Sequence, residues 1–178
     1  MKHEIRITIR PAKADRVYHI SEEDVRVVLS RVPAETLRRV KAIYFNDESR
    51  GARRLGYTNR GRREIALCAL PPRMSMTRFL AKGQTPEQFG ARRGSQWPVL
   101  AIRRFLLYNV LLHQIGHLQI IDASAKGAMR KFAREPKAQE FAMFWCNKLW
   151  SQHYDHPDPV HNRPTKEELN LLNASTNK

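Results

Sequence analysis

Ile5, Ile7 and Ile9 alternate with polar and charged residues in "HEIRITIRP", a period of two that predicts a half-buried strand ending at Pro11. The period then lengthens. "SEEDVRVVLSRVP" opens on Ser21, carries acids in its first turn and stops at Pro33, so a helix is expected over 22–32 with a serine cap and favourable dipole charges. A shorter helical piece near "AETLRRV", a β-branched and aromatic strand at "VKAIYF" and the turn-rich "NDESRG" follow. "RRLGYTNRGRREIALCALPP" reads as a strand pair with "TNRG" at its turn and a strand over 64–70 stopped by two prolines.

Residues 72–98 lose periodicity and predict a long loop with one short helix at "TPEQFG"; a loop of that length in a compact domain is functional or mobile. From Val99 to about Ile121, Leu106, Leu107, Val110, Leu111, Gln114 and Leu118 fall at three- and four-residue spacings and predict a largely buried helix. A second long helical region, "AMRKFAREPKAQEFAMFWCNKLWSQ", is expected to restart at Pro136. The polar, proline-rich tail holds one short helix at "TKEELNLL", capped by Thr165.

These elements predict one α+β domain over 1–178: an N-terminal helix and sheet part (1–71), a long basic loop (72–98), two core helices (99–150) and a polar tail (151–178). Cys68 and Cys146 lie far apart in apolar segments, as buried thiols of a reducing compartment would. No apolar run approaches the ~20 residues of a membrane span and the N-terminus is charged throughout, so a cytoplasmic protein with no membrane partner is expected.

Charge adds a second feature. Residues 50–104 hold 13 Lys and Arg against Glu64 and Glu87, a surplus of +11, while each flank contributes only +2 of the net +15. Such a block attracts polyanions, so nucleic acid or an acidic partner is a candidate, with Arg62, Arg63, Arg92 and Arg93 as contacts; no RRM, KH or zinc-finger signature accompanies it.

The chemistry concentrates in "LLHQIGHLQII". His113 and His117 stand one helical turn apart on one face, about 6 Å between Cβ atoms, where both imidazoles can reach one zinc ion. Two ligands are insufficient, since zinc takes four donors and a catalytic site reserves one for water. The apolar surroundings would penalise unpaired imidazoles, and Gly116, a poor helix former, implies a close backbone approach. A third donor follows at Glu135, on the stripe Glu135, Ala138, Ala142, Trp145 and Leu149, whose alanines would let the second helix come near. Pro136 directly after it places Glu135 at or just before a helix start, where an ordinary capping acid is the competing role. Asp122 is expected at the helix end, holding an imidazole in place. His153, His156 and His161, with Tyr154, cluster in the tail as solvated loop residues, a further ligand, or donors to an oxyanion.

"LLHQIGHLQ" resembles the HExGH helix of zincin metallopeptidases, and "EPKAQEFA" resembles the segment that carries the glutamate ligand in gluzincin-type families, notably the ImmA/IrrE-like and related minimal cytoplasmic peptidases. The likeness covers two motifs in order, about 30 residues. It implies a small twisted sheet packed on the active-site helix, zinc held by His113, His117 and Glu135, and hydrolysis of peptide bonds in a protein substrate paired along the 64–70 strand, with the 72–98 loop beside the cleft. It also implies that position 114 is catalytic. There the chain departs from the pattern: the families carry a glutamate that accepts the proton of the attacking water, and Gln114 cannot. An engineered inactivation, a natural inactive relative and a site with another base all fit this residue. The alternatives in function are a basic nucleic-acid-associated module with a structural metal, and an inactive zincin-like scaffold.

Overall fold

The computed structural model of the chain describes residues 4–94, 96–120 and 128–174. Four strands form a mixed sheet in the order β1-β2-β4-β3: β1 (Arg6–Ile9), β2 (Ala42–Asn46) and β4 (Glu64–Cys68) are parallel, and β3 (Gly56–Asn59) runs antiparallel to β4 at one edge. The fold class is α+β, as the patterning predicts. β4 has partners on both sides, so the 64–70 segment is interior; the edge strands are β1 and β3. The tight turn lies at Arg60–Arg63, beyond the expected "TNRG", and Arg63 takes a left-handed φ of 59° to close it.

Helix α1 (Glu22–Arg31) starts with the reciprocal capping box its sequence announces: Ser21 Oγ accepts from Asp24 N and Asp24 accepts from Ser21 N. The short α2 (Ala34–Leu37) follows. The central helix is continuous from α3 (Val99–Phe105) through a π-helical stretch (Leu106–Leu111) into α4 (Leu112–Gln119). π-Helical turns are rare and cluster at functional sites. Here the wider turn buries Asn109, whose Oδ1 accepts from Gln84 Nε2 at 2.8 Å and Gln139 Nε2 at 3.0 Å, tying loop and helices together.

Helix α5 (Ala128–Ser151) packs along α4, its alanine stripe turned inward: Ala138, Ala142 and Leu149 are fully buried. Gly116 is the contact that sets their separation, because a Cβ there would stand 3.1 Å from both Ala138 O and Phe141. The helix does not restart at Pro136. Proline inside a helix costs about 3 kcal/mol or more, yet α5 runs through it, with the ring exposed and the buried stripe holding the helix together. Glu135 therefore sits inside a helix and does not cap one.

The 72–98 segment is packed on the core. Met76, Phe89, Ala91 and Trp97 are buried, and "TPEQFG" forms a single 3-10 turn with a Thr85–Gln88 capping box. The tail is also anchored. Arg104, 2% exposed, reaches Glu168 of α6 (Lys166–Ala174) with both Nη atoms at 3.1 and 3.2 Å, and Thr165 caps that helix. Burial pushes the thiol of Cys68 up to about 11 and that of Cys146 up to about 12, and neither forms a disulfide. No helix among the described residues is long and apolar enough to cross a membrane.

Candidate metal centre

Helix α4 presents His113 and His117 on the side facing α5, and their Nε2 atoms lie 3.0 Å apart. Glu135 completes the group: Oε2 is 3.1 Å from His113 Nε2 and Oε1 is 3.3 Å from His117 Nε2. Among the described residues these three form the group whose donor atoms converge closely enough to hold a metal ion. Donors placed about 2.0–2.1 Å from a tetrahedral zinc ion lie roughly 3.3 Å from one another, which matches this spacing.

The donor set can be satisfied in two ways: two imidazole N–H groups can each donate to one Glu135 oxygen, or one cation can serve all three donors. Hydrogen bonds with His113 and then His117 hold the Glu135 carboxyl well below the usual carboxylate range, so it is ionised at neutral pH. His113 Nδ1 is buried without a hydrogen-bond partner among the described residues, although such nitrogens usually anchor to an outer acceptor. Asp122, the sequence candidate for that role, lies outside the described residues.

Gln114 faces the same cleft, 8% exposed, and its Oε1 accepts from the Thr58 hydroxyl at 2.7 Å. That donor would serve a carboxylate equally well. Strand and helix meet closely here because position 56 is glycine: a Cβ would stand 2.8 Å from Ala66 O and 3.3 Å from Val110. The cleft, about 1040 Å³, is bounded by β3 on one side and α4 and α5 on the other, with Phe79 of the long loop at its border.

The tail histidines do not join this group. His161 is 1% exposed, with Nδ1 3.1 Å from Tyr108 Oη and Nε2 3.6 Å from Asp24. Asp24 pairs with Arg103 at 3.0 Å, and Arg103 with Asp158 at 2.6 Å. His156 packs edge-on against His161, Tyr154 stacks on His156, and Arg31 lies over the Tyr154 ring. Tyr154, His156 and His161 thus border no part of the cleft. The reason is Arg103 and Asp24, which draw the tail onto α1 and α3.

Nor do Arg62, Arg63, Arg92 and Arg93 line it. The first two sit in the β3–β4 turn, and Arg92 bonds Leu172 O at 3.4 Å. Among the described residues the cleft's cations are Arg50, Arg53, Arg54, Arg60 and Arg134, which sequence position alone did not single out. The missed signal was the placement of "SRGARR" just ahead of the edge strand. Scans against family models, curated proteins and solved structures found no match to this chain.

Proposed function

We propose that the chain is a zincin-like, zinc-binding protein built for peptide hydrolysis, with its proton-accepting position filled by Gln114. The observation that carries this reading is the convergence of His113, His117 and Glu135 within 3.0–3.3 Å at the foot of a cleft that also holds residue 114. Zinc held there would supply Lewis acidity to a carbonyl and a more acidic water. The protein residues do the rest. Neutral imidazoles and the ionised Glu135 hold the ion, and α5 keeps Glu135 in reach through the Gly116–Ala138 approach. The outer edge of β3 offers backbone N–H and C=O groups to an extended peptide. Gln114, fixed by Thr58, can orient a water by hydrogen bonds but cannot take its proton.

The test is hydrolysis of a protein lysate by the chain as it stands and by Gln114→Glu. Activity confined to the glutamate form supports a peptidase lacking its base; activity in neither form favours a peptide-binding scaffold. A second reading, a polyanion-binding module with a structural metal, draws on the +11 block. It predicts salt-dependent DNA or RNA affinity that survives metal stripping and weakens when Arg62, Arg63, Arg92 and Arg93 are replaced.

A further inference from the structure

Among the described residues the cleft is strongly asymmetric in charge: five arginines border it against one carboxylate, Glu135, which is already committed to the histidines. They are also unevenly placed. Arg50, Arg53 and Arg54 gather ahead of β3, whereas Arg60, at its other end, donates through Nη2 to Ile120 O.

The segment carrying the first three is held in a demanding conformation. Arg50, Gly51 and Ala52 have φ of 50°, 68° and 60°, three consecutive left-handed residues of which two are not glycine. Such backbone persists only where its surroundings dictate it, and clusters at ligand clamps. Here Ser49 O accepts from Arg53 N and Arg54 N at 3.0 Å, Ser49 Oγ accepts from Arg16 at 2.9 Å, and Ala52 O accepts from Arg78. Arg54 is occupied by Glu48 O and by the Tyr57 ring 4.0 Å beneath it. Arg50 and Arg53 are exposed, and no acid among the described residues engages them.

We infer that Arg50 and Arg53 form an anion-recognition subsite that selects peptide substrates bearing acidic side chains, bound extended along β3. The inference rests on the peptide-cleft reading above. A peptide matches the lining better than a nucleic acid does. β3 offers an unpaired strand edge, and Leu55, Phe79 and Val110 supply an apolar floor for intervening side chains. Bases need open aromatic platforms, whereas Arg54 covers Tyr57, Arg78 covers one face of Phe79, and Phe105 is buried.

The experiment is fluorescence anisotropy with a labelled 12-residue peptide carrying Glu at alternate positions, its Gln counterpart, and a single-stranded oligonucleotide of equal charge. The peptide is recovered after each titration and checked for cleavage. The Glu peptide should bind at least about tenfold more tightly than the Gln peptide at ~0.15 M salt. Arg50→Glu with Arg53→Glu should abolish that preference, as Arg53→Glu alone should in large part. Arg62→Glu with Arg93→Glu, an equal change in net charge outside the cleft, should alter it less than about threefold. Equal losses in the two double variants, no preference for the Glu peptide, or tighter Arg53-dependent binding of the oligonucleotide overturns the inference. Metal content is measured on the same samples. Bound zinc without acidic preference sinks the subsite alone; arginine-dependent peptide binding by a chain that holds no zinc sinks the metal centre alone.

Discussion

Two histidine sites in this molecule use similar parts to opposite ends. In the cleft, His113, His117 and Glu135 point their donor atoms at one place, and Glu135 is 48% exposed. Around His161 the same residue types are spread into a chain, Tyr108–His161–Asp24–Arg103–Asp158, whose contacts run from one residue to the next and meet at no single point. The first arrangement leaves a charge requirement at a single point. The second passes its contacts along the chain and ties α1, α3 and the tail together. Convergence, and not the mere grouping of histidines with acids, separates a candidate ligand set from a structural network.

The comparison can be broken first at the cleft. Gln114→Glu should raise peptide hydrolysis by about 10²–10⁴ in the zinc-loaded protein, the usual worth of a positioned general base. Progress curves on a lysate or denatured protein check this, and an unchanged rate would leave the cleft a binding site. At the network the effect should fall on stability instead. Asp24→Asn weakens charge-assisted contacts with Arg103 and His161 and should cost about 2–4 kcal/mol in denaturant unfolding, with zinc binding retained.

The same residue sets a pH dependence. Burial pushes the Asp24 carboxyl up, but His161, the Ser21 N–H and Arg103 together hold it well below its usual value. A carboxyl depressed on folding contributes stability that is complete above its unfolded pKa of about 4 and is lost as pH falls below that. Melting temperatures of wild type and Asp24→Asn should therefore draw steadily closer as pH falls below about 5. A gap that does not narrow as pH falls would remove Asp24 from the account. The smallest effect is steric. Gly116→Ala adds a methyl 3.1 Å from Ala138 O and Phe141, so overpacking outweighs better helix propensity for a net loss of about 1 kcal/mol. Zinc affinity should drop with it, because Glu135 rides on the helix that must move.

Local patterning made much of this legible. The helix caps at Ser21 and Thr165, the strand pair, the close approach at Gly116 and the inward alanine stripe all follow from short-range sequence chemistry, and the structure bears them out. Long-range choices were not legible. Whether the 64–70 strand lies inside or at the edge depends on where β3 pairs, and continuity through Pro136 depends on packing against α4. The tail's path follows from Arg103 and Arg104, two helix residues that look solvent-facing in sequence yet bind Asp158 and Glu168. The arginines of the cleft escaped notice because a charge count locates a block but not the surface it faces.

The central claim is that the three convergent donors hold zinc, and it is most directly tested by metal analysis of purified, dialysed protein. The account predicts stoichiometric zinc in the chain as it stands, lost in His113→Ala and in Glu135→Ala and retained in His156→Ala. Purified protein that carries no zinc, or zinc that survives His113→Ala, would contradict it.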